Sequence, residues 1–185
     1  MDIRARKGLL VELSRLSEML GFPQVNGDVS RDWSELEEGC GFALPDDYKE
    51  FVSAYGPGCI NEQLYLFHPR ATRGEDGLRL DMLWQQASFA YGELSLSHPE
   101  MYPYPVHPVP GGCIPIARSM SGNHVFLRPP VEGMQKWSVV VEMGNWFVLD
   151  MQFTSFLWGA LNGDLFLPVI EGNPSFEPVG TVEPY

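Results

Sequence analysis

The chain has few cysteines, no leader-like segment and no long apolar run. Its three cysteines, Cys40, Cys59 and Cys113, form no Cys-x-x-Cys pair, and an odd number leaves no complete disulfide framework. No charged stretch followed by an apolar run marks a signal peptide. No segment approaches the ~20 apolar residues of a membrane span. We therefore expect a protein of the reducing cytoplasm that makes no direct contact with membrane.

Motifs that carry enzyme chemistry are also missing. The sequence has no Gly-x-Ser-x-Gly elbow, no phosphate-cradling glycine loop and no Rossmann fingerprint. His68, His98 and His107 each precede proline, and His124 has no ligand partner at helical spacing. We expect no catalytic residue, no cofactor and no metal.

The charge balance is strongly acidic, with a formal net charge of -12 from 24 acidic and 12 basic residues. Residues 28 to 50 hold eight acids and two bases, and residues 137 to 185 hold six acids and no base. This disfavours binding to nucleic acid or anionic membrane, because both need a basic footprint. It favours a basic protein partner, although solubility alone also explains an acidic surface.

Two short helices are predicted between residues 31 and 58. The first has Asp32 as N-cap with Glu35 three residues later, and it ends at the glycines of 39–41. The second opens with Pro45 at its first position and ends at Gly56. Its apolar residues have the i, i+3, i+4, i+7 spacing of one buried stripe, formed by Tyr48, Phe51, Val52 and Tyr55.

Helices and strands are predicted on both sides of this pair. Helical leucine spacing places an amphipathic helix before Gly21, and we expect it to pack on its own domain in preference to a membrane surface. Strand formers at 60–67 predict a strand, and apolar residues from Leu80 predict a helix ended by Gly92. The pair Phe153-Thr154 predicts the capped start of a last helix, which stops at Gly163. An antiparallel meander is predicted at 114–117, 124–127, 137–142 and 146–151.

A proline-rich loop is predicted between His98 and Gly112, where five prolines exclude a helix interior or a central strand. Tyr102 and Tyr104 are candidate partner contacts, because amphipathic tyrosines anchor interfaces. Packing of the loop over the sheet edge explains them equally well.

These elements predict an α+β domain with helices packed on one face of a mostly antiparallel sheet of about five or six strands. We divide the chain into an N-terminal helix and linker at 1–29, a central domain at 30–165 and an acidic Pro/Gly-rich tail at 166–185. The tail is expected to be extended or loosely docked.

The order of residues around the helical pair resembles the opening signature of the Smi1/Knr4 family, also called the SUKH superfamily. The resemblance continues through the strand at 111–116, the turn at 121–123, the strand from Trp137 and the helix at 154–163, and covers about residues 30 to 165. The family's turn usually carries Gly-Asp, whereas this chain has Gly122-Asn123. The matching residues of the opening signature are Trp33, Leu36-Glu37, Cys40-Gly41, Leu44-Pro45, Tyr48-Lys49, Phe51 and Tyr55-Gly56-Pro57-Gly58.

The resemblance implies a non-catalytic protein-binding module. Bacterial members are typically immunity proteins that neutralise a cognate toxin, often a nuclease or deaminase, and fungal relatives regulate cell-wall synthesis. The acidic balance agrees with a basic toxin domain as partner, because toxins acting on nucleic acid present basic clefts. A regulatory or scaffold protein of the same fold is the alternative, and a small hydrolase with a scattered site is the third possibility. The candidate contacts are Asp32, Glu35, Glu38, Asp46, Asp47, Glu50, Tyr102 and Tyr104.

Overall fold

The computed structural model describes residues 3–74, 77–130 and 136–185, with side chains from residue 11 onward. Within this part of the chain, seven strands form one sheet in the order β6-β5-β4-β3-β2-β1-β7, and every neighbouring pair is antiparallel. The predicted α+β class with helices against an antiparallel sheet is confirmed. The elements are α1 (Ile3–Leu20), α2 (Val29–Cys40), α3 (Asp46–Tyr55), β1 (Gly58–Ile60), β2 (Leu64–Leu66), α4 (Leu80–Ser97), β3 (Ile114–Ser119), β4 (His124–Arg128), β5 (Ser138–Glu142), β6 (Trp146–Leu149), α5 (Phe153–Leu161) and β7 (Phe176–Pro178).

The predicted meander of β3 to β6 is confirmed, because its pattern is local. Strand formers alternate with turn residues, and Gly122 and Gly144 adopt positive φ angles of 87° and 76° in the turns before β4 and β6. Residues 60–67, predicted as one strand, instead form the hairpin of β1 and β2. Asn61 and Glu62 turn the chain there with φ of 51° and 57°.

Alternation along β4 and β5 sends side chains to the two faces of the sheet. Val125 pairs with Val141 on the face that holds the main core, together with buried residues of α1, α3 and α5. Phe126 pairs with Val140 on the opposite face, where a smaller cluster includes Tyr91 of α4. Helix α4 and the proline-rich loop therefore cover the second face, in addition to the helices packed on the first.

Helix boundaries differ from the predictions at four places, and one is the start of α3, where Pro45 is the N-cap and Asp46 the first helical residue. Asp32 is not the N-cap of α2, because the helix begins one turn earlier and Asp28 accepts the capping hydrogen bond from the Arg31 amide. Gly92 does not end α4, which continues to Ser97 and stops before Pro99, a residue that disfavours helical backbone at His98. Thr154 does not cap α5, because the N-cap is Gln152 and the Thr154 hydroxyl donates to the carboxylate of Asp47.

The segment after residue 165 is an integral part of the fold and not a loosely docked tail. Val169 and Ile170 are buried, and β7 pairs with β1 through Ile60 and Phe176. Further along, the Thr72 amide donates to the carbonyl of Thr181. The last residues therefore lie against the segment that follows β2.

In the part of the chain that the structure describes, no helix is both long and apolar enough to cross a membrane.

Candidate protein-binding surface

Helices α2 and α3 form an antiparallel hairpin that is fixed along its length. At one end, the Trp33 indole donates to the Ser53 hydroxyl over 2.9 Å. At the other end, Glu37 accepts from the Leu44 amide at 2.8 Å and pairs with the Lys49 ammonium at 3.0 Å. These contacts place the outward residues of both helices on one rigid surface, which we call the α2–α3 surface.

Asp32 faces inward from the α2–α3 surface, with 2% of the residue exposed. Its Oδ1 lies 3.3 Å from the Arg70 guanidinium and accepts a hydrogen bond from the Tyr185 hydroxyl at 3.1 Å. Its Oδ2 lies 3.7 Å from Nε2 of His68, a fully buried imidazole. Because Nδ1 of His68 accepts from the Arg70 amide, the ring proton resides on Nε2 and points at the carboxylate.

The environment of Asp32 favours its charged form. Burial alone would raise the pKa of this carboxyl, but the polar side chains around it, His68 before Ser53 and the Tyr185 hydroxyl, together outweigh burial and hold the pKa below its ordinary value. Asp32 is thus an internal carboxylate that joins α2 to the β2–α4 connection and to the last residue. It is not a surface contact.

Asp47 is the second predicted contact that is buried, with 6% exposed. Its Oδ2 accepts from the amide of Thr154 at 2.9 Å and from the Thr154 hydroxyl at 3.2 Å, so it caps α5 from outside. Burial raises the pKa of Asp47 despite these bonds, and Glu12 adds to the rise. Asp47 therefore joins α3 to α5, and neither Asp32 nor Asp47 is available to a partner.

Three of the predicted carboxylates lie exposed on the α2–α3 surface. Glu35 and Glu38 are one turn apart on α2, and Asp46 begins α3 with 55% of its side chain exposed. The Asp46 carboxylate lies 3.4 Å from the Lys49 ammonium, which also pairs with Glu37. Glu35 and Glu38 have no cation partner among the residues that the structure describes. Glu50 is half-buried and has a partner of its own.

A cleft of about 530 Å³ adjoins this surface, with Glu35 and Leu36 of α2 in one wall. The lining also includes three arginines whose charges are already matched. Arg70 pairs with Asp32, Arg73 with Asp81 at 3.3 Å, and Arg79 with Glu183 at 3.0 Å. Each of these three guanidiniums has an acidic partner. They therefore offer no unmatched positive charge to an anionic substrate.

Tyr102 and Tyr104 are half-buried beside the second core cluster, away from the α2–α3 surface. Tyr104 packs at 5.4 Å from the ring of Trp146 and lies under the Arg128 guanidinium at 5.2 Å. Tyr102 lies 5.9 Å from Tyr91 of α4, edge to face. The loop therefore packs over the sheet, and the structure does not bring its tyrosines together with the carboxylates.

In the described part of the chain, the side chains that could bind a metal or act as nucleophile, acid or base are scattered. No three His, Cys, Asp or Glu side chains there are placed to hold a metal ion. Burial raises the pKa of the Cys113 thiol to about 11 and lowers the pKa of His107. Tyr91 lies 3.1 Å from Nδ1 of His124, whose pKa burial lowers to about 4.

Sequence reasoning missed the residues that hold Asp32 in place. The guanidiniums of Arg31 and Arg70 both lie over the ring of Tyr185, at 4.2 and 4.0 Å from its centroid. No local pattern marks His68, Arg70 or Tyr185, because they reach Asp32 from positions distant in sequence. The only signal was a histidine and an arginine on either side of Pro69, which a turn explains as readily.

The fold and this surface define the chain as an α+β domain with a rigid acidic helical hairpin. Comparison with protein-family models, with curated proteins and with solved structures gives no match for this chain. The resemblance to the Smi1/Knr4 family therefore stays a prediction.

Proposed function

We propose that this protein is a non-catalytic binding module whose α2–α3 surface engages a basic protein, and that the partner is a toxin domain which it neutralises. The observation that carries the proposal is the exposed pair Glu35 and Glu38, which has no neutralising cation in the described part of the chain. Like charges one turn apart on a helix repel each other. A basic partner relieves that repulsion and is attracted by the net charge of -12.

The way the hairpin is built supports the same proposal. Its inward acids are neutralised or bonded within the fold, as Asp32 and Asp47 show, so the outward acids stand on elements that do not need to rearrange. Rigid elements lower the entropy cost of binding. The contact set is accordingly Glu35, Glu38 and Asp46, with the half-buried Glu50 at its margin.

The test is capture of the partner from the native host at low salt, followed by charge reversal. We expect a basic protein to bind the wild-type chain, to be released as salt rises, and to be lost from the variant Glu35→Lys/Glu38→Lys. The matched control is Glu100→Lys/Asp150→Lys, which makes the same change of net charge at two exposed acids outside the hairpin. This control keeps most of the binding if the α2–α3 surface is the site.

Expression of the captured protein separates the candidate functions. A toxin arrests growth when expressed alone, and co-expression of the wild-type chain restores growth whereas the double Lys variant does not. Recovery of a non-toxic complex would favour the regulatory or scaffold alternative. Equal capture by both double variants would refute the proposed surface. Turnover of generic ester, phosphate or nucleic-acid substrates by the purified chain would favour the hydrolase.

A further inference from the structure

Helix α4 exposes an apolar stripe on its outer side that the proposed function does not use. Met82, Phe89 and Leu96 are 39%, 75% and 81% exposed. They are spaced by seven residues, which is close to two helical turns, so they lie in one line along the helix. The inner side of the same helix is accounted for, since Leu83, Ala87 and Tyr91 are buried against the sheet.

The stripe is symmetric about the middle of the helix. Phe89 lies at the centre of Leu80–Ser97, and Met82 and Leu96 lie at equal distances on either side. Two copies of α4 that meet antiparallel about a twofold axis at Phe89 place each Met82 against the other copy's Leu96. A surface that complements itself under a twofold rotation is what an isologous dimer requires.

The charges on this side of the helix are compatible with such pairing. Asp81 is already paired with Arg79 and Arg73, and Glu93 is the only other charged residue of the helix. In the antiparallel register Glu93 lies level with Gln85 and Gln86 of the other copy, so no two carboxylates meet and a glutamine amide is within reach of the carboxylate. Gly92 is exposed near the same line and allows the two backbones to approach.

We propose that the stripe is the interface of a weak antiparallel dimer of this chain, formed by α4 of each copy about Phe89. A helix of this length extends about 27 Å. Pairing two such helices buries on the order of 1,000 Å², which is the low end for a specific interface. An interface of this size is weak, so we expect the dimer to form at high protein concentration and to dissociate on dilution.

Salt separates this contact from the proposed acidic surface. Each copy carries a net charge of -12, so association of two copies is opposed by repulsion that salt screens. The dimer gains population as the NaCl concentration rises, whereas binding of a basic partner at Glu35 and Glu38 weakens. The two proposals can thus fail independently.

The test is analytical ultracentrifugation over a range of protein concentrations at low and high NaCl. We expect a monomer–dimer equilibrium that shifts toward dimer with salt, and we expect Phe89→Asp to remain monomeric throughout. Phe166→Asp is the matched control, because Phe166 is 84% exposed and lies outside α4. It should dimerise slightly less than wild type, by charge alone. A monomeric wild-type chain at all concentrations, or equal loss in both variants, would overturn the proposal.

Cross-linking tests the orientation. In a Cys40→Ser background, which removes the half-buried thiol, the variant Met82→Cys/Leu96→Cys is treated with a short bis-maleimide. Antiparallel pairing gives links between position 82 of one copy and position 96 of the other in the digested dimer. Links that join only like positions would contradict the antiparallel register.

Discussion

Tyr185 donates a hydrogen bond to the buried carboxylate of Asp32 over 3.1 Å, joining the last segment of the fold to the first turn of α2. The same hydroxyl accepts from the Asp28 amide, so one oxygen serves both the N-cap residue and the internal carboxylate. The guanidiniums of Arg31 and Arg70 both make cation–π contacts with the ring of Tyr185. The α2–α3 surface therefore depends on a residue far from it in sequence.

Removing the Tyr185 hydroxyl tests this link. We expect Tyr185→Phe to lower the free energy of unfolding by about 1.5 kcal/mol, because the hydrogen bond to a charged group is lost while the ring keeps its contacts. Tyr185→Ala should cost roughly 1 kcal/mol more, since both cation–π contacts are lost as well. Urea denaturation measures both values, and a Phe variant as stable as wild type would show that the hydroxyl contributes nothing.

Asp32 and Glu35 are one turn apart on α2, but their substitution has opposite expectations. Asp32→Ala leaves Arg70 and the buried His68 without their carboxylate, which should cost about 3 kcal/mol. Glu35→Ala should leave stability close to wild type, because the side chain is exposed and unpaired in the described structure. Equal losses in thermal or urea unfolding of the two variants would contradict the assignment of Asp32 as the internal member.

The contrast between these two residues shows what the sequence could predict. Both looked like members of one capping arrangement, and only burial by His68, Arg70 and Tyr185 separates them. Such contacts join positions that no local pattern relates. For the same reason, Asp32 and Asp47 were predicted as surface carboxylates of the acidic hairpin, whereas the structure buries both.

The fold was predicted best where the signal is local. Turn glycines and short runs of strand formers located β3 to β6 to within two residues at each end. The apolar stripe of α3 was also correct, with Phe51 and Val52 fully buried. Strand β7 was missed, because its partner β1 lies more than a hundred residues earlier and its own sequence, which ends at Pro178, has a weak strand pattern.

His124 gives the folded state a dependence on pH. Burial first, and the nearby Arg118 second, lower its pKa to about 4 from an ordinary value of 6.5. Between these values the unfolded chain binds a proton that the folded chain does not, so the contribution to stability is fully present above pH 6.5 and is lost as the pH falls toward 4. The loss approaches about 3 kcal/mol.

The variant His124→Asn isolates this effect. Urea unfolding at pH 7 and at pH 4.5 should show a smaller loss of stability on acidification for the variant than for wild type, because asparagine does not titrate. Asp32 adds little to the pH dependence above pH 4.5, because its lowered pKa keeps its stabilisation intact there and confines the loss to more acidic solution. Equal pH dependence in the two proteins would assign the acid sensitivity to other groups.

Gly58 and Gly39 provide the last contrast, between a glycine that the packing requires and one that it does not. A Cβ at Gly58 in β1 would lie 2.7 Å from the Glu177 carbonyl oxygen and 2.2 Å from the Phe176 ring, both in β7. Since a backbone atom cannot rotate away, Gly58→Ala should separate β7 from β1 and destabilise the protein by about 2 kcal/mol. Gly39 lies within α2 with nothing inside 4 Å of its Cβ position, so Gly39→Ala should stabilise by roughly 0.5 kcal/mol through helix propensity.

Thermal unfolding of both variants decides the matter, and amide exchange in β7 should be faster in Gly58→Ala alone. Slow exchange there in both variants would show that β7 does not depend on the close approach at Gly58.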